Sequence, residues 1–298
     1  MEFPVSGVET YWWLPAVVAF GISCLTSTGG LSGAFLLLPF QVSVLGFVGP
    51  AVTPTNLVFN IVGIPSGVYR YWREGRMVWP LVWSIILGVL PGLFVGAYIR
   101  INYLPDPTAF KFFVGLVLLY IGGRLGADLV RRKHEQATKN KVLADFKVIP
   151  LMFTVRKIGY EFDGREYYAP TMIIFFMSLV VGVVGGIYGI GGGAILAPVL
   201  VSVFGLPVYT IAGATLLSTF VSSVGGVIVY SLFALFYRDT GLAISPDWLL
   251  GAMLGIGGTF GIYTGARIQR FLPVKLIKAV LTACLLFIAV KYILGFVL

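Results

Sequence analysis

The chain has 298 residues, 58% of them hydrophobic and only 11% charged, with a mean hydropathy of +0.95. A soluble domain carries about 25% charged residues, so this composition excludes an ordinary soluble fold. It also excludes the nucleic-acid binding that a net charge of +9 would suggest in a soluble chain, because the lysines and arginines gather in polar loops between apolar runs, as in a polytopic membrane protein.

In chain order, ten apolar segments are expected. The first five lie near 11–27, 31–47, 51–71, 78–101 and 109–127. After a polar linker over 128–169, five more lie near 170–187, 192–206, 208–237, 246–268 and 275–297. The chain thus divides into a first transmembrane unit (1–127), a linker (128–169) and a second transmembrane unit (170–298), in an all-α polytopic fold. Glu2 and Glu9 precede the first run and no basic segment does, so that run is expected to stay as a helix rather than be cleaved. The second segment of each half is shorter than the roughly 20 residues that span hydrocarbon, which suits a half-helix or a tilted, partly buried one. In the linker, Ile158 to Tyr168 alternates around Asp163-Gly164. That is the signature of a type I′ hairpin, expected to cover the cytoplasmic mouth of the protein.

Glycine organises both halves. Gly189-Ile190-Gly191-Gly192-Gly193 sits in apolar sequence, just before Ala194 to Pro198. Each glycine costs a helix roughly 1 kcal/mol against alanine, so the run predicts a gap between two helices. In a bilayer such a gap is tolerated only against protein or a water-filled cavity. Gly30-Leu31-Ser32-Gly33-Ala34 before Pro39 repeats it, at the offset of 159 that separates Pro39 from Pro198. With no gap, Asn56 then meets Thr215 and Tyr71 meets Tyr230. Further on, Gly88, Gly92 and Gly96 align with Gly257, Gly261 and Gly265. Glycine at every fourth position lets membrane helices approach closely, and helix packing is the role expected of these six.

Five crossings per half require the second copy to be inverted. The first basic loop, Arg70, Arg73 and Arg76, follows the third segment. In the second half the basic residues Arg267, Arg270, Lys275 and Lys278 follow the fourth instead. With these loops and the basic linker in the cytoplasm, the linker is inside, both termini are outside, and the charge bias has switched loops as an inverted repeat requires. Whether the Gly-broken pairs cross or re-enter is left open.

Catalytic groups are scarce. Cys24 and Cys284 lie in apolar runs without a disulfide or metal-ligand spacing, and the one histidine, His134, sits in the charged linker. All twelve acidic residues fall in termini, loops, the linker or helix ends. The reading is therefore of a protein that is not an enzyme and needs no metal or cofactor. The interior offers hydroxyls, amides and broken backbone: Thr28, Gly30, Ser32, Gly33, Asn56 and Asn60 in the first half, and Tyr188, Gly189, Gly191, Gly192, Gly193, Thr215, Ser218 and Thr219 in the second. Free N–H groups at a helix start favour an anion, and two inverted starts would face each other near the midplane. Each hydroxyl has the plainer alternative of bonding its own helix. Arg124 and Lys291, late in the fifth segment of each half, are candidate anion gates or cations snorkelling to the interface. Partners are then a small anion and the bilayer of the cell membrane, with a homodimer left open.

The Gly-x-Gly-Gly-Gly-x-x-x-x-Pro pattern, intact at 189–198 and degenerate at 30–39, resembles that of the sulfite exporter TauE/SafE family. So do the Gly/Ala pattern around 92–97 and 261–266 and the linker between two homologous halves. The resemblance implies a permease for a small anion such as sulfite or a related organosulfur anion, a sulfonate among them. Ser32 and Ala34 depart from the pattern where Gly191 and Gly193 stand. An anion channel, or a proton- or sodium-coupled importer of a small organic anion, would use the same donors.

Overall fold

The computed structural model describes residues 1–28, 32–131, 148–268 and 274–297. Gly30, His134 and the basic part of the linker lie outside them. A two-residue-strand hairpin, β1 (Glu2–Phe3) with β2 (Val8–Glu9), opens the chain. There follow α1 (Leu14–Thr28), α2 (Ala34–Ser43), α3 (Val52–Gly63), α4 (Pro65–Arg73), α5 (Trp79–Asn102) and α6 (Pro107–Arg131). The linker sheet is β3 (Ile149–Phe153), β4 (Lys157–Phe162) and β5 (Arg165–Pro170). The second half holds α7 (Thr171–Tyr188), α8 (Gly192–Phe204), α9 (Val208–Phe236), α10 (Trp248–Ile268) and α11 (Val274–Val297). Among the described residues, stretches of five of these, within α5, α6, α7, α9 and α11, are long and apolar enough to cross a membrane. At 1.5 Å per residue α2 and α8 are about 15 and 20 Å long, too short for the roughly 30 Å of hydrocarbon.

The expected single segment at 51–71 is two helices. α3 ends at Gly63 and α4 begins at Pro65. Proline has no N–H, and its ring blocks the carbonyl four residues back, so the helix breaks there. In the second half Val224 stands at the equivalent position and α9 runs on unbroken. Two boundaries also differ: α6 continues to Arg131, and the linker carries a third strand, β3, beside the hairpin.

Helix contacts come in matched pairs. α5 lies along α7 as α1 lies along α10, and α3 meets α10 as α9 meets α5. The glycines show why. A Cβ on Gly88 would strike the carbonyl oxygen of Phe175, on Gly92 that of Leu179, on Gly96 that of Val183. On Gly257, Gly261 and Gly265 it would strike those of Ala16, Phe20 and Cys24. Each partner in α1 stands 159 residues before its counterpart in α7 (175 and 16, 179 and 20, 183 and 24). Small residues thus face inward, while large apolar ones such as Phe260 (63% exposed) and Phe287 (71%) face outward, the arrangement of helices whose solvent is lipid.

Asp163 and Gly164 join β4 to β5, both at positive φ (55° and 67°), the backbone of a type I′ turn. The sheet docks on the helices through Ile158, Tyr160, Phe162 and Ala169, all buried. The Tyr160 and Thr210 hydroxyls share a hydrogen bond of 2.8 Å, in the first turn of α9. Burial is the main cause that pushes the Tyr160 phenol up to about 12, against the opposing Thr210 bond. The raised value means that its docking contribution is fully present below about pH 10 and is lost as pH rises toward 12. Tyr160→Phe should weaken docking by about 1 kcal/mol, since Thr210 keeps its bond to the Pro207 carbonyl. Faster amide exchange in β4 and β5, with α7 unchanged, would register this; unchanged exchange in the sheet would contradict it.

Candidate functional site

The chain leaves α7 at Tyr188 and re-enters helix at Gly192. Gly189 is left-handed (φ 83°) and its N–H closes α7 on the Gly185 carbonyl at 2.8 Å; Gly191 is also at positive φ (72°). Space as well as φ demands glycine. A Cβ on Gly189 would stand 2.5 Å from the Thr53 carbonyl oxygen, and on Gly191 2.6 Å from Thr219 Cγ2. On Gly192 it would press on Val89, and on Gly193 it would run into the Thr215 carbonyl oxygen.

Breaking a helix frees carbonyls, and a low-dielectric interior makes each one costly unless it is bonded. α3 supplies most of the donors. Thr53 Oγ1 donates to the Ile187 oxygen (2.9 Å), Asn56 Nδ2 to Gly189 (3.0 Å) and Asn60 Nδ2 to Ile190 (3.2 Å). Tyr230 on α9 donates to Gly186 at 2.7 Å. Asn56 also donates to the Ala34 oxygen at 3.2 Å, and Gln41 Nε2 donates to Asn56 Oδ1 at 3.2 Å. Tyr188 donates to the Phe35 oxygen at 2.8 Å. The break in the second half is therefore tied to the start of α2, and Asn56 is the hub.

The remaining expected residues fall into place unevenly. Thr28 ends α1, its side chain outside the described residues with Gly30. Ser32 Oγ accepts from the Ala34 N–H (3.3 Å), and a Cβ on Gly33 would meet Ser23 Oγ. Thr215, Ser218 and Thr219 donate to carbonyls three or four residues back on α9, as does Ser222. Their hydroxyl hydrogens are thus engaged within α9. Donors still open among the described residues include the N–H groups of the first turn of α8, which have no partner within the helix, and the buried hydroxyls of Ser23 and Ser223. Arg124, half-buried, bonds Tyr120 OH at 3.4 Å, and Lys291 is exposed; they sit on α6 and α11, which pack on each other.

Besides Thr53, three participants stand outside the expected set. Gln41 is fully buried, with Oε1 unpartnered among the described residues. Its signal was a lone amide in the run before Val42, but the repeat puts Leu200 opposite it. Tyr230 was visible only as the partner of Tyr71. Arg100 is fully buried near the end of α5, donating to the carbonyls of Leu104, Val48 and Gly49 with its guanidinium 3.7 Å from the Phe110 ring centroid. It fastens the α2–α3 connection to the α5–α6 turn.

Among the described residues, five stretches long and apolar enough to cross a membrane, with shorter helices packed among them, define a multi-pass membrane protein. The chain belongs to the sulfite exporter TauE/SafE family, whose profile matches residues 15–292. No curated protein and no solved structure matches it.

Proposed function

We propose that the protein carries a small anion, sulfite or a related organosulfur anion such as a sulfonate, across the cell membrane by alternating access. The anion is held at the start of α8. The observation that carries this is the asymmetry of the break. Its carbonyls are consumed by Thr53, Asn56, Asn60 and Tyr230, while the N–H groups of Gly192 and Gly193 stand at the positive end of the α8 dipole. Asn56, Tyr188 and Gly189 brace the turn; Gly191, Gly192 and Gly193 let the anion reach backbone; Thr215, Ser218 and Thr219 form the facing wall. Thr28, Gly30, Ser32 and Gly33 serve as the corresponding half-site by their place in the repeat, and Arg124 and Lys291 act as gates at opposite faces.

The two halves are inverted copies, with the linker in the cytoplasm and both termini outside. The matched glycine contacts of α1 with α10 and α7 with α5, and the basic loops that change place between halves, support that reading. Inversion supplies the second conformation: what one half does at one face, the other does at the opposite face.

Thermal unfolding of the purified protein against sulfite, thiosulfate, sulfoacetate, taurine, sulfate, acetate and lactate tests the substrate. An anion at 100 times its Kd should add about 2.7 kcal/mol, and a selective shift with one sulfur anion is expected. In proteoliposomes, collapsing an inside-negative potential at fixed substrate gradient should slow efflux, because the potential is worth about 2.3 kcal/mol per charge per 100 mV. No shift with any anion, or efflux indifferent to the potential, would refute the corresponding half of the proposal.

A further inference from the structure

α4 is short and lies on the outside of the protein, with none of its residues buried. Tyr69 is 56% exposed and Trp72 60%; Trp79 and Trp83, where α5 begins, are also exposed. Amphipathic rings of this kind settle at headgroup depth. Arg70 and Arg73 share the same helix, and Arg76 follows it. Among the described residues only Glu74 forms ion pairs with them. It holds Arg70 at 2.9 Å and Arg76 at 3.3 Å, while Arg73 is exposed with no ion pair among the described residues.

Beside this helix is a cavity of about 290 Å³, walled by Trp72, Met77, Val78, Trp79, Val148 and Pro150. The linker closes one side, through the Val148 N–H to the Gly75 carbonyl at 3.1 Å. An apolar, aromatic cleft beside a helix and turn that carry Arg70, Arg73 and Arg76 against Glu74 suits one ligand chemistry. Apolar walls suit the glycerol and upper acyl region of a lipid, and the neighbouring guanidiniums suit a phosphodiester. Arginine is the side chain best matched to phosphate oxygens. A choline ammonium would meet the same guanidiniums with repulsion.

We propose that this cleft binds an anionic phospholipid of the adjoining leaflet, bridging α4, the start of α5 and β3. The bound lipid then fixes the linker sheet against the helices, since Val148 leads directly into β3.

Quenching of tryptophan fluorescence by brominated lipids tests this with the whole protein in phosphatidylcholine vesicles. A minor fraction of brominated phosphatidylglycerol should quench more strongly than the same fraction of brominated phosphatidylcholine. The expected preference is about fivefold in apparent affinity, the value of one arginine near an anionic surface, and it should shrink at high salt. Trp72→Phe with Trp79→Phe should remove the differential quenching. Arg73→Gln, an exposed change that leaves the helix contacts intact, should reduce the preference to near unity. Equal quenching by the two lipids in the unaltered protein overturns the proposal. So does a preference that persists in Arg73→Gln or in the double tryptophan variant, which would place the anionic lipid elsewhere.

Discussion

Gly193→Ala is expected to destabilise the protein by about 2 kcal/mol or more and to abolish transport. Helix propensity argues the other way, since alanine is favoured over glycine by up to about 1 kcal/mol, and Gly193 lies in the first turn of α8. Packing decides the sign. The new methyl would overlap the Thr215 carbonyl oxygen and press on Thr219 Oγ1 at 2.5 Å. A backbone oxygen inside a helix cannot swing aside as a side chain can, so α8 must move off α9. Overpacking of this kind costs typically 1–3 kcal/mol, and here the displaced element is the helix start itself. Gly192→Ala is the milder neighbour, because what it meets is the side chain of Val89. Gly123→Ala in α6 is the control: nothing stands within 4 Å of its added methyl, so propensity alone should act and stability should hold or rise. Thermal unfolding in detergent separates the three. Equal melting temperatures for Gly193→Ala and Gly123→Ala would show that the α8–α9 contact is slack and the glycine dispensable.

The contrast between Gly193 and Gly123 also shows what the chain makes legible. Glycines at 88, 92 and 96 and at 257, 261 and 265 announce close packing because their period matches a helix face. The Gly189 to Gly193 run announces a break because nothing else tolerates it. The Asp163-Gly164 turn is equally local: two positive-φ positions name the turn type. What stays hidden is the choice a polar group makes among partners of similar reach. Thr215, Ser218 and Thr219 read as site donors, yet each bonds its own helix, a matter of rotamer that residue type does not encode. Asn56 and Asn60 read as ligand donors, and they are donors, but to carbonyls that exist only because a helix 133 or 130 residues away is broken. Arg100 carries no distinguishing signal at the end of an apolar run; it folds under the α2–α3 connection, where three carbonyls and a ring receive it. Pro65 marks the division of α3 from α4, but residue type alone does not announce it, because Pro91 lies inside α5 and Pro39 inside α2 without dividing either helix.

Replacing Asn56 should be the most damaging polar substitution at the centre, in the order Asp, then Ala, with Gln41→Leu far milder. Asn56 is fully buried and spends both amide hydrogens, one on Ala34 and one on Gly189, while its oxygen accepts from Gln41. Alanine leaves the Gly189 carbonyl and the Gln41 amide unpaired and takes a second bond from the Ala34 carbonyl, which keeps its place in α2. Each unpaired group costs about 1–3 kcal/mol in a protein interior, and hydrogen bonds in membrane helices average lower, near 0.6 kcal/mol, so a loss of about 2–4 kcal/mol is expected. Aspartate has the same shape and turns the donor into a negative charge facing two carbonyl oxygens, so it must bind a proton to be accommodated. Gln41→Leu removes one bond but also the unpartnered Oε1, and those effects nearly offset at about 1 kcal/mol or less. Because the two side chains touch, their effects should not add: a double-mutant cycle between Gln41→Leu and Asn56→Ala should return a coupling of about 0.5–1 kcal/mol. Transport should fall with Asn56→Ala even in protein that remains folded, since the turn that aims the α8 N–H groups would lose its brace at Gly189. Folded Asn56→Ala protein with unaltered transport would mean that the turn holds its shape through Thr53, Asn60 and Tyr230 alone, and that the hub is redundant.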